Sequence, residues 1–427
     1  MSDQLRPRSN RAQPLTAIAR HGRLKKSNPF RTLAKFTSAA LAVLLVSGAS
    51  VAAIAAFDVA ASVKPSVHLA NENKLGTNPK IASIEGGVNL LLIGSDSRAG
   101  QDPMFGGEAE TGNLNDVTML LHISQDHKNA SVISFPRDMF VPIPECPLPN
   151  GDTSSAMSRQ KINTTLSYGG MACTVLTVEK LTGLSIPFAA EVQFSGVMAM
   201  STAVGGVPVC VAERIEDEYT GIFLDPGVHE LQGLEALQFL RTRHGVGDGS
   251  DLTRINNQQV FMSSLVRTIK SADTLSDPLK VYALAKAVTG NMTLSSSLNN
   301  VSTIASIAVA LKDIPLADIV FVQVPTGGTE GGVVPSQPDF DELFAAVAAD
   351  QPLKLSGAMG RGATLDPNAP QPTVDAAAPT PDAPTPAADP TAVPATDPAA
   401  GVTLSDRATG QTAGELTCSV GRTLNNQ

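Results

Sequence analysis

The chain has 427 residues, 42% of them hydrophobic, 17% charged and only 4% aromatic, with 35 Gly, 30 Pro, four Cys and no Trp. Its net charge of −9 conceals a basic leader: residues 1–35 carry nine Lys or Arg against one acid, a local +8 that leaves −17 for the rest. An acidic bulk excludes a general nucleic-acid binder, which needs positive surface to displace counterions from phosphates, and the six His and four Cys show no zinc-ligand spacing.

Phe36 to Phe57 reads FTSAALAVLLVSGASVAAIAAF, 22 residues without a charge. As a helix it is long enough for a hydrocarbon core of roughly 30 Å. Arg20, Arg23, Lys25, Lys26, Arg31 and Lys35 lie just upstream, and the nearest ionisable group downstream is Asp58. The positive-inside rule then makes 1–35 a cytoplasmic leader, 36–57 a single-pass transmembrane signal anchor and the remainder extracellular. The small residues between Ala52 and Ala56 offer a signal-peptidase site, but the long leader and the full spanning length favour an uncleaved anchor. A buried core helix would have nothing nearby to bury it.

All four Cys (Cys146, Cys173, Cys210, Cys418) follow the anchor, and an even count in an exported portion suggests disulfides. Four Cys permit three pairings. Cys146 and Cys173 bracket one loop and form the favoured pair, with buried free thiols as the alternative; Cys210 and Cys418 stay unassigned.

Residues 58–85, with Pro65, Gly76 and Pro79, read as a stalk. From 86 to 350, apolar strand-like runs alternate with amphipathic stretches, the pattern of a layered α/β domain. Val88–Ile93 is an apolar strand that ends in the polar turn GSDSR (94–98). Val117–Ile123 and Ala130–Phe135 flank Gln125–Asn129 as a hairpin, and the second strand ends at Pro136-Arg137-Asp138. Thr174–Leu181, Leu231–Leu240 and Leu252–Ile269 carry apolar residues at helical spacing, the last with Asp251 as a plausible N-cap. Between Asp366 and Ala400 ten Pro are interleaved with Ala, Thr and Asp. Residues 351–427 are therefore expected to form a disordered tail, with too little core around Cys418 to fold by itself.

Charge falls at the ends of the apolar strands, where open α/β sheets form ligand crevices. Asp96 and Arg98 follow the first strand, Asp116 opens the second, and Arg137 and Asp138 close the third. Each alone also fits a turn or cap residue, and Arg241-Thr242-Arg243-His244 also fits a solvated helix end. Collectively, Arg98, Arg137, Arg241, Arg243 and Arg254 supply guanidinium forks that match pyrophosphate oxygens. Asp96 and Asp116 supply the hard oxygens that hold Mg²⁺, or Mn²⁺ in its place, against phosphate. Neither GxSxG nor GxxxxGK[ST] occurs, so neither a nucleophile elbow nor a P-loop is supported. His122, in an apolar strand, reads as a satisfied structural residue, and Met119, Met139, Met157, Met171, Met198 and Met200 as core filler.

The strings NLLLIGSDSR (89–98), NDVTMLLHIS with SVISFPRDMFV (115–141), KINTTLSYGG (161–170) and LQGLEALQFLRTRHGVGDGSDLTRINNQQ (231–259) resemble the LytR-CpsA-Psr family, in matching order over about residues 86–273. The resemblance implies a layered α/β/α domain with a central mixed sheet at 86–350. It implies a cell-wall glycopolymer–peptidoglycan ligase: a phosphotransferase that takes polymer from a polyprenyl-pyrophosphate carrier and attaches it as a phosphodiester to a muramic-acid hydroxyl. By the same likeness Asp96 and Asp116 match the Mg²⁺-linked acids. Arg98, Arg137, Arg241, Arg243, Arg254 and Gln258 match the pyrophosphate-binding set, with Asp96, Arg137, Arg241 and Arg243 catalytic. Asp138 matches a motif acid, structural or a weak base candidate, and the family's Cys pair fits Cys146 and Cys173. A lipid tunnel would use the helices around 174–204 and 255–269. Partners are then the lipid-linked polymer, peptidoglycan and membrane, and no nucleic acid. A lipid-pyrophosphate hydrolase and a non-catalytic wall-polymer or lipid-carrier binder are the rival readings.

Overall fold

The computed structural model describes residues 29–70, 72, 87–99, 101, 103–105, 112–148, 150–357, 359–369 and 401–427. Most of the leader, half of the stalk and the Pro-rich run at 370–400 lie outside these residues. The chain divides into two units, 1–56 and 57–427. Helix α1 (Pro29–Ala61) contains the expected apolar span and extends beyond it at both ends. Among the described residues it is the one helix long and apolar enough to cross a membrane.

The strands that build the two main sheets are β1 (Val88–Ser95), β2 (Asn115–Ile123), β3 (Ala130–Phe135), β4 (Phe188–Val192), β5 (Val207–Val211), β6 (Gly227–Leu231), β7 (Met292–Leu294), β8 (Ile319–Gln323), β9 (Ala363–Leu365), β10 (Gly410–Thr412) and β11 (Thr417–Ser419). The central seven-stranded sheet runs β7-β4-β1-β2-β3-β8-β10. It is mixed: β4 and β8 run parallel to β1 and β3, and the other pairs are antiparallel. The hairpin expected from β2 to β3 forms, with His122 opposite Ser131.

Strand periodicity decides the layers. Leu91, Ile93, Leu120, Ile133 and Val322 point to one face, where α2 (Thr165–Thr182) and a later helix at Asp339–Ala348 cover them. Leu90, Leu92, Leu121, Val132 and Phe321 point to the other. That second face is covered by α3 (Phe194–Ala203), with further helices at Pro278–Asn291 and Val301–Asp313. Alternation of two residues thus places a separate apolar core on each side of the sheet. A smaller sheet, β6-β5-β11-β9, packs with α4 (Leu234–Arg241) and α5 (Asp251–Lys270) around a third core. The fold is a layered α/β/α domain with a central mixed sheet.

Several local expectations change. Ser250, not Asp251, is the N-cap of α5, accepting from the Thr253 amide at 3.3 Å. Leu231 ends a strand, so α4 begins three residues later. The stalk is shorter than expected: Val67 bridges Ser295, Leu69 is fully buried, and Glu72 accepts from the Ser297 amide at 2.9 Å. His122 is buried, with Nδ1 at 2.9 Å from Asn89 and Nε2 at 3.1 Å from Asp350.

The largest departure is the disordered tail expected over 351–427. Residues 401–427 belong to the domain: β10 extends the central sheet from β8, and β11 lies between β5 and β9. Arg267 fastens this segment by donating to the carbonyls of Ala413 and Glu415 at 2.9 and 3.0 Å. The expectation judged the stretch by the core it could build alone. An added strand needs only a neighbour's free backbone groups and an existing core. Cys418 reaches Cys210 at an S–S distance of 1.93 Å, and Cys146 reaches Cys173 at 2.04 Å.

Peptide mapping of exported, non-reduced protein should recover both Cys pairs oxidised. The Cys210–Cys418 link spans 208 positions, so Cys418→Ser should cost about 5 kcal/mol in the chain-entropy account. Removing residues 401–427 should lower the melting temperature further; an unchanged melting temperature would contradict their place in the sheets.

Candidate active site

A bulge at the β1–β2 pair creates the site. Gly94 pairs with Val117 and Ser95 with Asn115, leaving Asp116 as the extra residue. Bulges re-aim side chains, and Asp116 and Val117 consequently both line one cavity. The close approach requires Gly94, because a Cβ there would stand 2.8 Å from the Val117 Cβ. The bulged carbonyl of Asp116 accepts from Arg254 Nη2 at 2.9 Å.

Around Asp116 the charges interlock. Arg137, just past β3, places Nη1 2.5 Å from Asp116 Oδ1. Its backbone amide donates to Asp251 Oδ2 at 3.1 Å, and its Nε lies 3.7 Å from Asp251 Oδ1. Asp251 also holds Arg254 at 2.7 Å, both side chains being only 6–7% exposed. Because Ser250 takes the capping role, the Asp251 carboxylate is free to join these two arginines. Burial opposes the charge on Arg137, but Asp116, Asp251 and Asp138 outweigh it and raise its pKa.

Arg241, at the end of α4, lies over the Phe194 ring at 4.4 Å to the centroid. Among the described residues no carboxylate lies within salt-bridge distance of it. Its guanidinium is open to solvent yet enclosed enough that desolvation lowers its pKa; Asp116 opposes this, and Arg98 adds to it. Asp96 accepts from the Leu114 amide at 2.7 Å through Oδ1. Burial pushes the Asp96 carboxyl above the ordinary range, Leu114 opposes, and the negative Asp116 pushes it further. Gln258 lines the cavity and donates to the Leu240 carbonyl at 3.1 Å.

The structure therefore brings Asp96, Asp116, Arg98, Arg137, Arg241, Arg254 and Gln258 into one electrostatic cluster. Arg243 stands apart, on the Asp138 side of Arg137, with Nε donating to the Gly249 carbonyl at 3.0 Å. Asp138 is paired with Lys161 at 2.7 Å; burial would raise its pKa, but Lys161 outweighs burial and holds it low. A carboxylate held low is a poor proton acceptor near neutral pH, so the structural reading of Asp138 is the better one.

Behind the charged cluster lies an apolar cavity of about 150 Å³. Its walls come from β1, β2, α3, α4 and α5, including Leu92, Met119, Val197, Met200, Leu237 and Leu265. Helix α2 takes no part: its Val175 and Val178 bury on the opposite face of the sheet, so the tunnel expected around 174–204 begins only near Val192. Met119 and Met200, expected as core filler, line the cavity as well. Sequence reasoning missed Phe194, the shelf beneath Arg241. It also missed Asp217, which is fully buried, accepts from Thr242 Oγ1 at 2.6 Å and the Arg243 amide at 3.2 Å, and so fixes the end of α4. Phe194 sits in no recognisable motif, and Asp217, which accepts from the Tyr219 and Thr220 amides, reads in sequence as an ordinary turn acid.

For a divalent cation, Asp96 and Asp116 each keep one carboxylate oxygen without a partner among the described residues. No third acid or imidazole there completes a ligand group with them. Two hard oxygens beside several guanidiniums fit Mg²⁺ that draws its other ligands from phosphate and water.

Removing Asp251 tests the arrangement. Asp251→Ala strands Arg254 in the interior, and breaking a buried pair costs about 3–5 kcal/mol. Denaturant unfolding should show a loss of that size; a change under about 1 kcal/mol, the scale of an exposed pair, would contradict the interlocked geometry.

The sequence matches the LytR_cpsA_psr family over residues 54–347. Among curated relatives, the cell wall biosynthesis protein LcpA of Corynebacterium glutamicum is 29% identical over 330 residues, covering 71% of this chain; the chain spans about 61% of LcpA. The polyisoprenyl-teichoic acid–peptidoglycan teichoic acid transferase TagT of Bacillus subtilis is 27% identical over 304 residues, 67% of this chain and 88% of TagT. The solved LytR-Csp2A-Psr enzyme from Actinomyces oris shares the fold, with a TM-score of 0.51 at 24% identity over 67% of this chain and 96% of that one. With more than half of its length matched, the chain belongs to the LytR_cpsA_psr family.

Proposed function

We propose that the protein is a membrane-anchored cell-wall glycopolymer–peptidoglycan ligase. Its donor is a glycopolymer on a polyprenyl-pyrophosphate carrier, and its acceptor is a muramic-acid hydroxyl of peptidoglycan. One observation carries this reading: Arg241, a guanidinium without a carboxylate partner among the described residues, stands where the charged cluster meets an apolar cavity. A ligand with a phosphate head and a long hydrocarbon tail satisfies both sides of that junction. The name of TagT, which specifies a polyisoprenyl-linked donor and peptidoglycan as acceptor, supports the same pairing. Helix α1, with basic residues before it, suits an anchor with residues 1–35 inside and the domain outside.

In the reaction, the acceptor hydroxyl oxygen bonds to the phosphorus that carries the polymer. The bond from that phosphorus to the bridging oxygen breaks, and polyprenyl phosphate leaves with the electron pair and takes up the proton that the hydroxyl sheds. Arg137, Arg241 and Arg254 line the approach and spread the negative charge that builds on the phosphate oxygens. Phe194 keeps the Arg241 plane oriented, and Asp251 holds Arg137 and Arg254 in place before substrate arrives. Asp96 and Asp116 would hold Mg²⁺, which when bound supplies positive charge against the pyrophosphate. The apolar walls hold the isoprenoid at about 0.8 kcal/mol per buried CH₂ and keep water from the leaving group.

Mass spectrometry of lipid co-purified with the protein should detect a polyprenyl phosphate or pyrophosphate. Arg241→Lys keeps the charge but loses the fork, and a charge-assisted hydrogen bond is worth about 1.5–3 kcal/mol, so transfer should fall roughly ten- to a hundredfold. Asp96→Ala should abolish metal-dependent transfer. A fully active Lys variant together with the absence of any co-purified isoprenoid would overturn the proposal.

A further inference from the structure

We infer that the segment Val420–Arg422, outside the family match, is a positioning clamp for the arginine loop of the active site, with Arg422 its principal side chain; this rests on the ligase reading. Residues 242–250 join α4, which ends in Arg241, to α5, which begins with Asp251. Arg241 and Asp251, which flank the loop, belong to the charged cluster, and the loop itself carries Arg243 beside Asp138. It is an irregular turn with positive φ at Gly247 and Gly249, and no regular element of its own holds it.

The late segment supplies that hold. Gly247 donates its amide to the Val420 carbonyl at 2.9 Å, and Arg422 donates its amide to the Gly245 carbonyl at 2.8 Å. Between them Val246 and Gly421 form an isolated antiparallel bridge. The Arg422 guanidinium continues the contact: Nη1 donates to the Asp248 carbonyl at 3.3 Å, while Nε donates to Asn426 at 2.7 Å. A Cβ on Gly249 would stand 2.6 Å from Arg422 Nη1, so the two chains touch there without space between them. On the inner side of the loop, the Gly249 carbonyl accepts from Arg243 Nε.

The clamp itself is fixed at both ends. Cys418 lies at disulfide distance from Cys210, and the Arg422 carbonyl accepts from the Glu216 amide at 3.1 Å. Glu216 is next to Asp217, which binds Thr242 and the Arg243 amide. The loop is therefore gripped from one side by Asp217 and from the other by Val420–Arg422. Arg422 does not line the apolar cavity beside the charged cluster, so it acts through Arg243, whose Nε is bonded to the clamped loop at Gly249.

The test uses the full chain with Arg422→Ala, Arg243→Ala and the double variant. If Arg422 positions Arg243, its loss should lower the transfer rate by about ten- to a hundredfold, the scale of a misplacement near 1 Å. The KM for the lipid-linked donor should change little. In the Arg243→Ala background the Arg422→Ala change should have almost no further effect, because residues acting through one another are non-additive. Hydrogen exchange in Arg422→Ala should show faster exchange confined to amides 243–249, Gly247 above all. Additive losses, an unchanged transfer rate, or exchange that is unaltered or faster across the whole domain would each overturn the clamp. If wild-type protein transfers no polymer, the ligase reading fails by itself, and the exchange pattern alone then decides whether the loop is clamped.

Discussion

Everything at the site depends on how seven charged groups balance one another in a partly buried cluster. Four guanidiniums (Arg98, Arg137, Arg241, Arg254) gather around Asp96, Asp116 and Asp251, where desolvation penalises every ion that lacks a partner. Asp251 settles the inner part by binding Arg254 directly and Arg137 through its amide. Asp116 settles the next layer through Arg137 and, by its carbonyl, Arg254. Of the others, Arg241 has an aromatic shelf but no carboxylate among the described residues, and the Asp96 carboxyl is pushed up by burial and by Asp116. The inner charges are paired and rigid, and the outer ones await a ligand. Such preorganisation lets a charged transition state form without moving the protein.

The fold explains why this balance sits beside a hydrocarbon-sized space. The central sheet separates two apolar cores, and on the α3 side the helices stand far enough from β1 and β2 to leave the cavity. The bulge at Asp116 turns one carboxylate out of the ladder at the cavity's charged end. Apolar and charged walls thus meet within one site, as the proposed lipid-linked donor requires. A water-soluble phosphate ester would use the charged end alone and leave the apolar walls wet.

Much of this was legible in the chain. The strand runs at Val88–Ile93, Val117–Ile123 and Ala130–Phe135 alternate faces in the sheet as their residues demand, and the turn arginines mark where charge collects. The resemblance over 86–273 added the layered α/β/α architecture. Three features were not legible, each for a reason of distance. The bulge depends on pairing between β1 and β2, which no single strand encodes. Asp217 reads as an ordinary turn acid until the end of α4 folds back onto it. Residues 401–427 look too sparse to fold because their core belongs to strands about 90 to 200 positions earlier in the chain, β8 for β10 and β5 for β11. Asp251 shows a subtler failure: its place at a helix start suggested a cap, but Ser250 is one residue nearer and leaves the acid for the arginines.

The central claim is that an alcohol, not water, attacks the bound pyrophosphate. The most direct measurement incubates the detergent-solubilised protein with a polyprenyl-pyrophosphate-linked oligosaccharide and peptidoglycan fragments in ¹⁸O-labelled water, followed by mass spectrometry of the products. The account predicts an oligosaccharide joined to muramic acid through a phosphodiester that carries no ¹⁸O. A free phosphorylated oligosaccharide bearing one ¹⁸O would contradict it and mark the protein as a hydrolase.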